Sequence, residues 1–171
     1  MPPYRSNTVR RALASLGLCI ATLLGVRGAA ASTATTTMSV TMTITSGCTV
    51  SATTLAFGTA STLSSAITAT GSLSVTCTNT TPYNVGLDQG SGSGATISTR
   101  KMTGPSSATI NYGLYQNSTL TTVFGNTVGT NTEAGTGTGA AQTVDVYGQV
   151  PVQTWPAPGS YSDVVNVTIT Y

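Results

Sequence analysis

Residues 37–50 read TMSVTMTITSGCTV, and the fold must provide a surface that covers the apolar side chains of this stretch. Apolar side chains take every second position from residue 38 to residue 44, with serine or threonine between them. Such alternation is typical of a β-strand that buries one face. The apolar positions are Met38, Val40, Met42 and Ile44. The sequence therefore predicts a strand whose apolar face needs a partner surface.

A segment typical of an export signal precedes this stretch. Basic residues up to Arg11 are followed by an apolar run over 12–26 and by three alanines at 29–31, the order found in secretory signal peptides. The apolar run has fifteen residues, fewer than the roughly 20 that a transmembrane helix needs. We therefore expect a signal peptide over 1–31, a mature chain that starts near Ser32, and no membrane span in that mature chain.

The mature part of the chain carries almost no charge. After residue 31, Arg100 and Lys101 stand against four acidic residues, which gives a net charge of −2. Two basic residues cannot neutralise many phosphates, so nucleic-acid binding is not expected. The abundance of threonine, serine, glycine and valine, with few helix formers, favours an all-β domain.

Further strand-like runs follow, separated by stretches rich in turn residues. We predict strands over 53–57, 72–77, 83–87, 110–115, 143–150 and 163–171. The polar, glycine-rich segment 125–139 reads as a loop. With the first strand these make about seven, the number typical of an immunoglobulin-like sandwich.

The last predicted strand places Val165, Val167 and Ile169 on one face. A sandwich that needs another strand beside this one must obtain it from elsewhere, and the spare element is the alternating stretch at 37–44. The residues alone leave two solutions open. The sandwich closes within one chain, or the stretch is donated to a neighbouring copy.

Cys48 and Cys77 are the two cysteines that remain once the signal peptide is removed. An even number of cysteines in an exported chain favours a disulfide. We therefore predict a bond between them that ties the first strand of the domain body to the strand ending at residue 77.

The sequence offers little for catalysis. It contains no histidine, and its four acidic residues are not paired at short spacing. General acid–base chemistry, nucleophilic catalysis and zinc binding each need groups that are missing or scattered here. We therefore predict no enzyme activity, no catalytic residues, no cofactor site and no metal site.

Six stretches occur in chain order: TSGCTV, LAFGT, GSLSVTCTNTTPYNVGLDQG, INYGLYQNSTLTTVFG, VDVYGQVP and PGSYSDVVNVTITY. This series resembles the spore coat U domain family, which includes pilin subunits of the archaic chaperone–usher pathway. The resemblance implies an incomplete immunoglobulin-like sandwich with a groove left by a missing strand. It also implies that a periplasmic chaperone fills this groove first and the N-terminal strand of the next subunit fills it later.

Carried onto this sequence, the resemblance implies a donor strand over 32–46 and a spore coat U or pilin domain over 47–171. The donor residues would be Met38, Val40, Met42 and Ile44, and the acceptor groove would include Val165, Val167 and Ile169. The expected function is that of a structural pilus subunit in a surface fibre for adhesion and biofilm formation, with an adhesive or coat protein of the same family as the alternative. The expected partners are other pilus subunits, most simply copies of this chain, with a periplasmic chaperone and an outer-membrane usher. The expected location is the periplasm in transit and then the cell surface.

Overall fold

The structure, a computed structural model, describes Gly28 and residues 30–171. Nearly all of the signal peptide predicted over 1–31 therefore lies outside the described residues. The described chain divides into two units between Thr41 and Met42. In the described part of the first unit, no residue belongs to a helix or strand and every side chain is exposed. Across the described residues, no helix has the length and apolar character needed to cross a membrane.

The second unit is an all-β domain. Its residues 42–171 form eight β-strands and one 3-10 helix, Pro105–Ser107. The strands are β1 Cys48–Ala52, β2 Ile67–Cys77, β3 Pro82–Leu87, β4 Arg100–Thr103, β5 Thr109–Tyr115, β6 Glu133–Thr136, β7 Ala141–Val150 and β8 Val167–Thr170.

These strands form two antiparallel sheets. One has five strands in the order β1-β2-β7-β5-β4, and the other has three in the order β6-β3-β8. The longest pairing joins β2 to β7, from Ile67 opposite Val150 to Thr76 opposite Ala141. Two of the four edge strands, β1 and β8, approach each other on one side of the domain. The result is a two-layer sandwich of the immunoglobulin-like type.

The core lies between the two sheets and follows the alternation of their strands. In β2, Leu73, Val75 and Cys77 are buried, while the intervening residues face outward. The three-stranded sheet contributes Tyr83, Val85 and Leu87 from β3. The other buried apolar residues are Leu63, Tyr112, Leu114, Phe124, Val146 and Val150.

A buried arginine also joins the two sheets. Arg100 in β4 is fully buried, and its guanidinium donates four hydrogen bonds of 2.7 to 3.1 Å to main-chain carbonyls. The acceptors are the carbonyl oxygens of Leu87, Asp88, Ile97 and Phe124. A buried charge is costly unless its hydrogen bonds are satisfied. These four hydrogen bonds therefore offset the cost of burying the guanidinium.

Three of the predicted strands correspond closely to β3, β5 and β7, and the strand predicted over 72–77 is the second half of β2. One other boundary was wrong. The strand predicted over 163–171 begins at Val167, because carboxylate side chains take the N–H groups of Val164 and Asn166 that a ladder would otherwise use. In the single described chain, residues 37–47 form no strand and β1 begins at Cys48, and the donor strand in a neighbouring copy stays a prediction.

One predicted strand is absent, one predicted loop contains a strand, and one strand was not predicted. Residues 53–57 form no strand, although Thr53 still bonds to Ser72. The stretch 125–139 contains β6, in which Gly135 leaves room for the ring of Tyr83 on the neighbouring strand. Strand β4 was not predicted at all, because its sequence RKMT lacks alternation.

Candidate functional site

An open groove with a volume of about 1400 Å³ runs along one side of the domain, entirely within residues 52–167. One wall is the segment 52–63 that follows β1. The other wall is the segment 155–163, continued by Val165 and Val167. Its floor is apolar and consists of Leu73, Leu87, Met102, Ile110, Tyr112, Leu114, Val146 and Val150.

Most of the first wall has no backbone hydrogen bonds to a neighbouring segment. Leu55 and Phe57 are half-buried and face the core, while the residues between them are exposed. They fit because the strands beneath carry glycine: a Cβ on Gly148 would lie 2.9 Å from both side chains. In the described part of the chain, residues 54–62 make no backbone-to-backbone hydrogen bond. This wall therefore presents unpaired N–H and C=O groups beside an apolar surface.

The second wall has an open strand edge. Strand β8 pairs with β3, placing Val167 opposite Leu87 and Ile169 opposite Val85, and no other strand of the described chain is hydrogen-bonded to its far edge. Val165, Val167 and Ile169 are half-buried against the core, and the residues between them are exposed. Val165 and Val167 line the groove, whereas Ile169 lies outside its lining.

Asp163 anchors this wall where it approaches β8. Its Oδ2 accepts a hydrogen bond of 2.8 Å from the Tyr112 hydroxyl on the groove floor. Its Oδ1 accepts hydrogen bonds from the N–H and hydroxyl of Ser91, at 2.8 and 2.7 Å. Burial and the hydrogen bond to Asp163 raise the pKa of Tyr112 above its ordinary value. The phenol therefore stays protonated and remains a donor.

Asp88 forms a second attachment between the segment before β8 and the loop that follows β3. It accepts hydrogen bonds from the N–H and side-chain amide of Asn166, at 3.0 and 2.6 Å, and from the N–H of Gly90. Burial acts to raise the pKa of Asp88, but these hydrogen bonds to its ionised form outweigh burial and hold the pKa below its ordinary value. Two carboxylates thus attach the segment before β8 to the loop that follows β3.

Trp155 and Tyr161 stand at the rim of the groove. The Trp155 side chain is 63% exposed although it contributes to the lining. Tyr161 is fixed by its hydroxyl, which donates to the carbonyl of Ala157 at 2.6 Å. Its ring lies against Gly104, where any Cβ would collide with it.

The predicted donor residues share high exposure. Met38, Val40, Met42 and Ile44 are 86%, 87%, 86% and 77% exposed. The first two belong to the described part of the first unit and the last two to the second unit. No residue from 30 to 47 belongs to a helix or strand.

The disulfide between Cys48 and Cys77 is present, which confirms the pairing predicted from the sequence. The two residues are direct partners in the ladder between β1 and β2. The bond therefore fixes edge strand β1 at the point where the domain body begins. Among the described residues, no group of three or more histidine, cysteine, aspartate or glutamate side chains is placed to hold a metal ion.

Sequence reasoning missed part of this site. Leu55 and Phe57 were assigned to a strand, and Tyr112 and Asp163 were not connected at all. The alternation LAF was a usable signal for an inward-facing pair, since it places both apolar residues on one side. The contact between Tyr112 and Asp163 had no local signal, because the two residues are 51 positions apart.

A family model described as the Spore Coat Protein U domain matches residues 34–168. The chain belongs to the spore coat U domain family. The match covers the whole groove and also residues 34–46, ahead of the first strand. No curated protein matches the chain.

Among solved structures, the spore coat U chain is similar to a chain of the CsuC-CsuE complex from Acinetobacter baumannii. That crystal structure is a chaperone–tip adhesion subunit pre-assembly complex from archaic chaperone–usher Csu pili. The identity is 24%, the TM-score is 0.55, and the alignment covers 75% of the present chain. The present chain spans 40% of the length of that chain, and the likeness shows a shared fold.

Proposed function

We propose that this spore coat U protein is a structural subunit of an archaic chaperone–usher pilus that polymerises by donor-strand exchange. In this proposal the stretch 32–46 of one copy is the donor strand, and the groove in residues 47–171 of the next copy is the acceptor. The observation that carries the proposal is the groove itself, since both of its walls offer unpaired backbone groups above an apolar floor.

Backbone chemistry favours an extended peptide as the occupant. A strand laid in the groove gains ladder hydrogen bonds from the open edge of β8 and from residues 54–62. Main-chain bonds of this kind give affinity, and pockets for alternate side chains give specificity. An edge left open in this way is also an aggregation hazard, so a chaperone that covers it before assembly is part of the proposal.

The donor stretch matches the groove in its side chains. Its four apolar residues alternate with small hydroxyl residues, as a strand with one buried face requires. Burying four such side chains contributes about 6 to 12 kcal/mol before ordering costs. The two methionines adapt to an irregular floor because their side chains are unbranched and flexible.

A donor on one surface and an acceptor on another make a head-to-tail contact, which grows into an open fibre when its rotation does not close. The proposed fibre is exported through an outer-membrane usher and displayed on the cell surface, where it serves adhesion and biofilm formation. The signal peptide over 1–31 belongs to the same proposal, as does the use of a periplasmic chaperone.

The test uses a synthetic donor peptide with the sequence of residues 34–46, added to the purified exported chain. We expect the peptide to bind and to stop fibre growth seen by electron microscopy, because a filled groove cannot accept the next copy. A matched peptide carrying Asp in place of Met42 should bind at least tenfold more weakly, which corresponds to about 1.4 kcal/mol. Equal binding of the two peptides, or growth unaffected by the first, would overturn the proposal.

A further inference from the structure

Two tyrosines lie side by side on the outer face of the five-stranded sheet, away from the groove. Tyr115 of β5 and Tyr147 of β7 are direct partners in the antiparallel ladder. Both are half-buried, and neither lines the groove. Their strand neighbours Leu114 and Val146 face the core instead.

Both rings lie along their strands. A Cβ on Gly113 would come within 2.7 to 2.9 Å of the Tyr115 hydroxyl and ring, so this ring covers the glycine two positions earlier. The Tyr147 hydroxyl donates to Asp145 Oδ2 at 3.4 Å, and Asp145 is likewise two positions earlier on the same face. The pair, here called the tyrosine platform, therefore presents flat aromatic surface.

A small depression of about 240 Å³ adjoins the platform at Tyr147. Its polar groups include the exposed hydroxyl residues Thr68, Thr70 and Ser118, and Thr70 is the ladder partner of Tyr147. The depression is bounded by Leu120 in the loop that follows β5. Aromatic surface thus meets several hydroxyl groups within one short stretch of the sheet.

The loop that bounds the depression is held in one conformation. Asn117 Oδ1 accepts hydrogen bonds from the N–H groups of Thr121 and Thr122, at 3.0 and 3.1 Å. Leu120 has a φ of 55°, a conformation that is uncommon for residues other than glycine. Strained backbone that the surroundings enforce is concentrated at binding sites, where it holds groups in place before the ligand arrives.

The charges around the platform select the ligand class. Asp145 is the charged group in contact with it, and neither basic residue of the described chain lines the depression. Arg100 is buried, and its guanidinium is bonded to main-chain carbonyls. An anionic ligand would meet a carboxylate and no cation, so the site suits a neutral molecule with hydroxyl groups and an apolar face.

We propose that the tyrosine platform and its depression bind a neutral carbohydrate. The C–H face of a sugar ring packs on the tyrosines, and its hydroxyl groups bond to Asp145, Thr70 and Ser118. A small number of polar groups around an aromatic surface is the usual composition of a specific ligand site. Because the site and the groove share no residue, sugar binding does not depend on donor-strand exchange.

The test is a titration of the intact chain with neutral maltoheptaose, cellohexaose and dextran, and with anionic alginate, followed by calorimetry. We expect binding of at least one neutral probe and none of alginate. Tyr147→Ala should weaken that binding more than about tenfold, as expected for loss of an aromatic anchor. Tyr171→Ala is the matched control, because Tyr171 is exposed and outside the platform.

Two further variants keep the test decisive if Tyr147→Ala does not fold. Tyr147→Phe retains the ring and should bind within a few-fold of the original chain, whereas Asp145→Asn should bind more weakly. Failure of every neutral probe to bind at millimolar concentration would overturn the proposal. So would a platform variant that leaves sugar binding intact but abolishes side-by-side association of copies, since the face would then be a protein contact. None of these outcomes alters the donor-peptide test.

Discussion

Tyr112 contacts both walls of the groove. Its hydroxyl donates to Asp163 Oδ2 at 2.8 Å on the side of β8, and its ring meets Phe57 of the opposite wall edge to face, with centroids 6.0 Å apart. One side chain on the floor therefore sets the separation of the two edges between which we propose that the donor strand lies.

Tyr112→Phe tests this arrangement, because it keeps the ring against Phe57 and removes the hydrogen bond to Asp163. We expect the free energy of unfolding to fall by about 1.5 to 3 kcal/mol, the range for a hydrogen bond to a charged group. Urea denaturation measures this, and binding of the donor peptide should weaken in parallel. Tyr171→Phe is the control, and an equal effect of the two would contradict the assigned role.

Thr168 and Val167 are neighbours on opposite faces of β8, and only Val167 lines the groove. Val167→Asn should weaken donor-peptide binding by at least tenfold, because it places an amide without a partner against an apolar floor. Thr168→Asn should leave that binding nearly unchanged. Loss of binding in both variants, or in neither, would show that β8 does not form the acceptor edge as proposed.

The donor stretch also offers two neighbouring substitutions on opposite faces of the predicted strand. Met42→Asp should prevent polymerisation of purified subunits, since it directs a charge into the groove of the next copy, whereas Thr41→Asp places its charge on the solvent side. Size-exclusion chromatography and electron microscopy follow the assembly. If the two substitutions act alike, either the buried face or the donor role is wrong.

Acid should destabilise the domain through Asp88. Its folded-state pKa is lowered from 3.8, so the stability it contributes is present above the unfolded-state pKa and is lost as the pH falls through the lower folded-state value. We expect the free energy of unfolding to decline below about pH 4. Asp88→Asn should flatten this decline, and Glu133→Gln serves as the charge-matched control. An unchanged pH profile in Asp88→Asn would contradict the role of the hydrogen bonds from Asn166.

The disulfide should contribute strongly to stability. Cys48→Ser opens a loop with a sequence separation of 29 residues, and the chain-entropy estimate for such a loop is roughly 3 to 4 kcal/mol. Denaturation with and without reductant measures the contribution. A mass measurement that found two free thiols in the exported chain would contradict the bond itself.

The parts of the fold that could be predicted are those with local signals. Alternation placed β3, β5 and β7 nearly correctly, and it placed Val165 and Val167 on the inner face of the chain before and within β8. Alternation did not predict β6. Gly135 in that strand leaves room for the Tyr83 ring on the neighbouring strand. Such glycines look like turn residues until the partner strand is known.

The contacts that shape the groove depend on topology. Leu55 and Phe57 occupy space left by Gly71 and Gly148, residues far away in sequence whose position follows only from the pairing of β2 with β7. The hydrogen bond between Tyr112 and Asp163 likewise needs both sheets in place. A pattern read along one segment cannot indicate which distant segment will lie beneath it.

The buried Arg100 has a consequence for folding kinetics. Its acceptors are the carbonyls of Leu87 and Asp88 at the end of β3, of Ile97 and of Phe124, so all four hydrogen bonds exist only when these segments lie together around β4. Where such hydrogen bonds are completed only after the transition state, their loss speeds unfolding more than it slows folding. We therefore expect replacement of Arg100 to shorten the lifetime of a folded copy, and in the proposed fibre that lifetime matters more than the speed with which the copy first folded.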